Sequence, residues 1–319
     1  MIIDLPDTNV SKISRALVNV REEGGAVALG RVLTLIILAN HDTAEEVIEA
    51  ANDASREHPM RVIVVMFGDA TAPSRLDAEI RVGGDAGASE VVVLHPYGLA
   101  GSNAESLVTG LLLPDAPVVA WWPRETPPMP SRSEIGRIAQ RRITDAATQP
   151  DPTAWVAGLG EHYSPGDTDF AWTRLTRWRE QLAAVLDQPP YEPVTAVEVR
   201  GGADSPSTAL LAAWLGLKLQ VPVDWKYLGA DEWASGIKSV RLVRESGDTL
   251  LERPSPGVAI LTQPGQPSHD LAFPRRTLRE CLAEELRRLD PDVLYGRVIT
   301  EGWARLEPPS QELSQETNG

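Results

Sequence analysis

Leu33-Thr34-Leu35-Ile36-Ile37-Leu38-Ala39 is an apolar run of strand length, Asn40-His41-Asp42-Thr43 is a polar turn, and Val47, Ile48 and Ala51 follow at helical spacing. The order reads strand, cap, helix. Asp42 or Thr43 is placed to accept from the orphan N–H groups of the first turn, and Glu45 and Glu46 suit the positive end of a helix dipole. After Pro59, the stretch from Arg61 to Phe67 carries Val62-Ile63-Val64-Val65-Met66, which predicts a strand buried on both faces, as in a parallel sheet. Together the two strands and the helix make a βαβ unit.

Outward from this unit, Leu76 to Val82 and Glu90 to His95, joined by Gly83-Gly84-Asp85-Ala86-Gly87, predict a hairpin in a mixed sheet. A helix is expected near Ser102 to Leu113 and a strand from Val118 to Trp122, ended by Pro123. Alternation along that strand puts Trp121 and Trp122 on opposite faces, one buried and one exposed. Pro127-Pro128-Met129-Pro130 reads as a stiff loop, and Ser133 to Arg142 as a helix. Arg137, Arg141 and Arg142 form a basic cluster, for which Glu134 and Asp145 are the nearby acids.

Farther along, Val194 to Arg200 is a strand, Gly201-Gly202-Ala203-Asp204-Ser205 a turn and cap, Pro206 a first helical residue, and Thr208 to Leu219 a helix. Setting Thr43 on Ser205 also sets Asp42 on Asp204, Met60 on Pro222 and Asp69 on Asp231. Two readings follow: a duplicated α/β unit, or two ordinary βαβ units at coincidental spacing. Hairpins are expected over Ile237 to Arg253 and Gly257 to Gln263. Helical segments are expected over Pro152 to Leu159, Asp169 to Leu186 and Arg276 to Leu289; Gly158-Leu159-Gly160 reads as a helix stop. The fold class is α/β, two related sheet-and-helix halves with mixed sheets joined by a helical segment. The divisions are 1–165 and 166–305 for two α/β domains and 306–319 for a disordered polar tail.

Acidic residues number 45 against 30 basic ones, a formal charge of −15, which excludes a duplex-DNA binder as the leading class because phosphate neutralisation needs a basic surface. The single cysteine, Cys281, rules out an intrachain disulfide and any cysteine-based zinc cluster. The opening Met1-Ile2-Ile3-Asp4-Leu5-Pro6 lacks the pattern of a secretory leader and no apolar run reaches membrane-span length, so a cytoplasmic chain without membrane contact is expected.

No Walker motif, His-Glu-x-x-His, Gly-x-Ser-x-Gly or post-strand Gly-x-Gly-x-x-Gly occurs, and the five histidines show no metal-ligand spacing. No catalytic residue, cofactor or metal site is therefore assigned. Gly201, Gly202 and Ser205 could present backbone N–H groups to an anion at a helix N-terminus, although Asp204 opposes this and no P-loop lysine is present; an ordinary turn is the alternative. At about 100° per residue, Trp172, Leu175, Trp178, Leu182, Val185 and Leu186 share an arc of roughly 140° that Arg179 enters, with Arg174 and Arg177 beside it. Nine tryptophans against three phenylalanines make this face conspicuous. It is either core with snorkelling arginines or a partner-facing surface of the Trp and Arg type that dominates interface hot spots.

Asp169-Phe170-Ala171-Trp172-Thr173-Arg174-Leu175-Thr176-Arg177-Trp178-Arg179, with Ala120-Trp121-Trp122-Pro123, Ala139-Gln140-Arg141-Arg142-Ile143-Thr144-Asp145 and Ala213-Trp214-Leu215-Gly216, resembles the bacterial glucose-6-phosphate dehydrogenase assembly protein family, OpcA. The likeness runs to about residue 305. It implies a non-catalytic factor that binds glucose-6-phosphate dehydrogenase, promotes its active oligomer and so supports the oxidative pentose phosphate pathway and NADPH supply. Trp172, Arg174, Arg177, Trp178 and Arg179 are the candidate partner surface. The cysteine-based redox response of some members has no intramolecular counterpart here, leaving only an intermolecular disulfide through Cys281. The competing reading is a sugar-phosphate binder or cryptic enzyme built on the Gly201 to Ser205 turn.

Overall fold

The computed structural model describes residues 1–23, 31–83, 90–189, 191–203, 205–233 and 235–309. Two compact units interleave in sequence: Met1–Thr148, Ser164–Phe170 and Thr277–Asp292 form the first, and Gln149–Tyr163, Ala171–Arg276 and the chain from Val293 onward form the second. Each unit therefore takes in a segment that lies within the other's stretch of sequence, and no single cut separates them.

In the first unit the strands are β1 (Ile2–Leu5), β2 (Leu33–Leu38), β3 (Met60–Val65), β4 (Arg75–Arg81), β5 (Glu90–Tyr97), β6 (Val118–Trp121), β7 (Arg141–Thr144) and β8 (Asp167–Asp169). They form a mixed sheet in the order β1-β4-β5-β3-β2-β6-β7-β8. β2 pairs in parallel with β3, Leu33 opposite Met60, as the apolar runs predict. The β4–β5 pair is antiparallel, as expected of a hairpin; the turn residues 84–87 lie outside the described residues. From β5 to β8 every pairing is parallel. Taken in chain order these six strands lie 3-2-1-4-5-6 across the sheet, the doubly wound arrangement whose direction reverses between the first and fourth strands.

Both faces of this sheet are covered. Leu35, Ile37, Val62, Val64 and Trp121 pack with α2 (Ala44–Ala54) and α9 (Leu278–Arg287), while Ile36, Ile63, Val92 and Trp122 pack with α1 (Val10–Glu23), α3 (Ala104–Thr109) and α4 (Glu134–Ile138). Trp121 and Trp122 do point to opposite faces, but both are buried, which corrects the expectation that one is exposed. At the start of α2, Thr43 holds the cap position without accepting a cap hydrogen bond; its Oγ1 donates to Asn40 Oδ1 at 2.7 Å.

The helix expected over Ser133 to Arg142 stops at Ile138, and Arg141 and Arg142 lie in β7 instead. A parallel neighbour on each side and ion pairing of both arginines favour the strand over helical propensity. The expected neutralisation of the basic cluster occurs with other acids: Arg141 pairs with Glu285, Arg142 with Asp167, and Arg137 with Glu105 at 3.2 Å.

The second unit holds β9 (Ala196–Gly202), β10 (Val223–Leu228), β11 (Ile237–Val243), β12 (Thr249–Ser255), β13 (Gly257–Thr262) and β14 (His269–Phe273), in the order β10-β9-β11-β12-β13-β14. β9 and β10 are parallel and joined by α8 (Pro206–Leu219), whose residues are buried almost all round; Pro206 starts that helix as expected. The remaining pairings are antiparallel. The fold class is thus mixed α/β in both units.

The two βαβ units do fall at nearly one sequence offset, but their surroundings differ. β2 lies between parallel β3 and β6, whereas β9 lies between parallel β10 and antiparallel β11, and β10 is an edge strand where β3 is internal. The sheets are not copies of one another.

The helix expected over Asp169 to Leu186 is divided into β8, α6 (Phe170–Thr173) and α7 (Thr176–Leu186). At the break, Thr173 O accepts from Thr176 Oγ1 at 3.0 Å and from Arg276 Nη1 at 3.2 Å. Gly158 and Gly160 lie inside α5 (Pro152–Glu161) rather than stopping it; a Cβ on Gly160 would come within 2.5 Å of Ile299 O, so close approach is the reason for glycine. At the end of the described chain, Glu307 O accepts from Trp225 Nε1 at 2.7 Å, and tail residues 310–319 lie outside the described residues.

Candidate functional site

The Trp-Arg stretch begins where the chain leaves the first unit. Asp169, fully buried, accepts from Thr144 Oγ1 at 2.5 Å and from Ala146 N, and Phe170 meets Trp121 edge to face at 5.5 Å. From Ala171 onward the residues belong to the second unit. Trp172 is 1% exposed and lies 5.8 Å from Tyr295, centroid to centroid; Trp178 is 2% exposed and meets Phe273 edge to face at 5.1 Å. Both indoles are core, so their part in any interface is to support it from beneath.

The arginines of this stretch are half-buried. Arg179, half-buried, stacks over Trp172 with Cζ 3.9 Å from the ring centroid and donates to Thr176 Oγ1 at 3.1 Å. Arg177, also half-buried, donates to Pro274 O at 2.9 Å. Arg174 is half-buried in the turn between α6 and α7.

Sequence reading missed two members of this surface, because they come from strands far along the chain. Arg253 of β12 lies 5.4 Å from the Trp178 ring centroid and 5.3 Å from that of Phe273, and Arg275 follows β14. Burial and the nearby charges of Arg275 and Arg177 hold the Arg253 guanidinium down to a pKa of about 10. The available signal was a charged residue on the inward period of a strand: Thr249, Leu251 and Arg253 alternate with outward residues.

The Gly201 to Ser205 turn spends its donors internally. Gly202 N–H donates to Gly236 O at 2.8 Å and Ser205 N–H to Gly202 O at 3.1 Å. A Cβ on Gly201 would run into Thr208 Oγ1, so this glycine is required by close packing of strand against helix. Asp204 lies outside the described residues.

A third place is set by topology. Beyond the carboxyl ends of β2 and β6, where the doubly wound sheet reverses, dinucleotide-binding folds place a glycine-rich turn feeding a helix N-terminus. Here that turn is Asn40-His41-Asp42-Thr43, Asn40 Oδ1 accepts the Thr43 N–H at 3.2 Å, and the first helical turn carries Glu45 and Glu46. Negative charge where a pyrophosphate would sit is opposed to that ligand. His41 stacks on His95 nearby, centroids 5.5 Å apart. Burial, then the neighbouring His41, lowers the pKa of His95 against the opposite pull of Glu79 and Asp77.

Among the described residues no group of His, Cys, Asp and Glu side chains is arranged to hold a metal, and no helix is long and apolar enough to cross a membrane. Cys281, through which the sequence left an intermolecular disulfide open, is fully buried in the first unit's core with Leu282 and Leu286.

Two family profiles match the chain in succession. One, described as the glucose-6-phosphate dehydrogenase subunit N-terminal domain, covers residues 51–161, and the other, described as the C-terminal domain of the same subunit, covers residues 165–299. No curated protein matches. Among solved structures, the WlbA dehydrogenase from Bordetella pertussis, in complex with NADH and UDP-GlcNAcA, is similar at 10% identity over 86% of this chain and 94% of that one, with a TM-score of 0.37. An oxidoreductase from Pseudomonas syringae is similar at 10% identity over 88% and 90%, with a TM-score of 0.36.

Proposed function

The chain belongs to the OpcA family of glucose-6-phosphate dehydrogenase assembly subunits, and from that premise we propose that it is a non-catalytic factor that binds glucose-6-phosphate dehydrogenase and favours its active oligomer. It would thereby support the oxidative pentose phosphate pathway and NADPH supply in the cytoplasm. The carrying observation is the family match over residues 51–161 and 165–299, which takes in both units. The arginine-rimmed surface of α7 supports the reading, since arginines over packed tryptophans are the chemistry of interface hot spots. The acidic, glycine-free turn at the switch point is in keeping with a role that needs no dinucleotide.

An activator of this kind needs a surface with differential affinity. If the dehydrogenase interconverts between less and more active oligomers, preferential binding of the active one shifts the population by no more than that preference, and a tenfold preference is worth about 1.4 kcal/mol. The sugar-phosphate reading gains no support from the Gly201 to Ser205 turn, whose Gly202 and Ser205 N–H groups are already bonded.

The test is co-expression with the cognate dehydrogenase, gel filtration and an activity assay. The chain alone should show no dehydrogenase activity, should co-elute with the enzyme, and should raise its activity in a concentration-dependent way. Absence of both co-elution and activation over a range of concentrations overturns the reading.

A further inference from the structure

The sheet of the second unit has two unlike faces. Val199, Trp225, Val240, Leu251 and Leu261 point to one side and are buried, whereas two neighbouring rows on the opposite side keep access to solvent throughout. Strand pairing aligns those rows across the sheet. The first runs Asp224, Glu198, Arg241, Leu250, Thr262, from β10 through β9, β11 and β12 to β13; the second runs Lys226, Arg200, Ser239, Glu252, Ile260 and, on β14, Asp270.

Charge is densest over β10 and β9, where the rows carry opposite signs, and Leu250, Thr262 and Ile260 make β12 and β13 less polar. Within one chain Arg200 already pairs with Asp224 and lies 3.7 Å from Glu198, and Arg241 lies 3.5 Å from Glu198. The two rows hold four acids against three bases, on a chain whose formal charge is −15. Two copies of so acidic a chain repel, and this face adds little to the repulsion.

Opposite signs in adjacent rows make the face complementary to itself. A two-fold axis lying across the strands, between the rows, sets each row on the other row of a second copy: Asp224 over Lys226 and Glu198 over Arg200, each twice, with Thr262 over Ile260. An axis along the strands instead sets the charged half on the less polar half, where the charges go unpaired.

We propose that this open face joins two copies of the chain, sheet on sheet, through these rows. Six strands about 4.8 Å apart and about 20 Å long outline roughly 500 Å², towards the low end for a specific interface, so the dimer is expected to be reversible in the micromolar range. Two joined copies also present the dehydrogenase with two binding surfaces, which raises effective concentration and suits the assembly of an oligomer. The dimer itself does not depend on the assembly reading.

Sedimentation of the full chain alone, across the micromolar range, should show a monomer–dimer equilibrium. Glu198→Lys sets like charge over Arg200 of the second copy, and Arg200→Glu sets like charge over Glu198; each should raise the dissociation constant about tenfold or more, and the double variant should return it towards the parent value. Ile260→Lys places a cation beside Glu252 and Asp270 of its own sheet but over Thr262 of the second copy, and should also weaken the dimer. Because Ile260→Lys leaves the Glu198 network intact, it decides the matter if a charge variant melts early at dilution. A parent chain that stays monomeric throughout overturns the proposal and leaves the assembly reading untouched; loss of dehydrogenase co-elution in Ile260→Lys then assigns the face to the enzyme. A dimer that none of the variants weakens overturns the proposal as well, since it forms through another face.

Discussion

Arg142 in the first unit and Arg253 in the second are both buried, 7% and 5% exposed, and stand in opposite electrical surroundings. Every nitrogen of Arg142 is engaged: Nε pairs with Asp167, Nη1 donates to Ala139 O at 2.7 Å, and Nη2 to Pro165 O at 2.6 Å. Arg141 and Arg61 likewise have a buried carboxylate beside them, Arg141 pairing with Glu285 and Arg61 Nη2 lying 2.7 Å from Glu90. Arg253 has one carbonyl, two aromatic rings and the like charges of Arg275 and Arg177. Arg142 has its charge compensated within the fold, whereas Arg253 keeps its charge beside neutral groups and other cations.

The largest effect that could break this contrast is expected at Arg142. Removing one partner of a buried ion pair costs about 3–5 kcal/mol because the other charge is stranded, so Arg142→Met should lower the urea midpoint sharply. Burial, the leading influence, already raises the pKa of Asp167 against the opposing pull of Arg142 and the Ser164 N–H. For an acid whose folded pKa lies above its unfolded one, the fold binds the extra proton, so stability falls as pH rises through that range. The loss in Arg142→Met should therefore grow with pH, and Arg142→Met with Asp167→Asn should recover much of it. A loss below about 1 kcal/mol, well under the cost of a stranded charge, would show that the pair is not structural and remove one side of the comparison.

The first unit's layout was legible because its strands are continuous apolar runs: Leu33 to Leu38 and Met60 to Val65 have no other way to be buried on both faces. Where the sequence misled, a short element was decided by distant partners. Arg141-Arg142-Ile143-Thr144 has no strand-length apolar run and becomes a strand through β6, β8 and two acids. The doubly wound order was beyond reach because which strand neighbours which depends on the whole sheet. Of the candidate surface, Trp172, Trp178, Arg177 and Arg179 were visible as a helical stripe, whereas Arg253 and Arg275 share no periodicity with it and join only through the fold.

A smaller effect of opposite sign is expected from Arg253→Met. Because the folded pKa of about 10 lies below the ordinary value of an arginine, the charge works against folding at neutral pH, and the penalty lifts only as pH rises above about 10. Solvent near the exposed Arg275 screens part of that penalty, and stacking of Arg253 on two rings returns about 0.5–1 kcal/mol. The net gain for methionine, which fills irregular apolar gaps, is expected at about 1 kcal/mol, read as a higher urea midpoint at neutral pH. Destabilisation on the scale of Arg142→Met would make Arg253 a structural residue and erase the distinction.

The smallest effect sharpens the contrast from within the first unit, where His41 and His95 also set like groups side by side, 5.5 Å apart. His95 is half-buried, and burial first, then His41 and Arg81, outweigh Glu79 and Asp77 in lowering its pKa from 6.5. A base with a lowered folded pKa gains its proton sooner in the unfolded chain, so stability is lost as pH falls through 6.5 towards the folded value. Glu45 does not interfere, since Arg81 lowers its pKa from 4.5 and its stabilising share is lost only at more acid pH. His95→Gln should therefore reduce the fall in stability between about pH 7.5 and about pH 5.5 by a few tenths of a kcal/mol, the partial exposure of the ring keeping the effect small. The comparison is the urea midpoint of parent and variant at the two pH values. An unchanged slope would mean that Glu79 and Asp77 balance the two rings, leaving Arg253 as the stronger example of an unbalanced cation and the contrast between the two units wider.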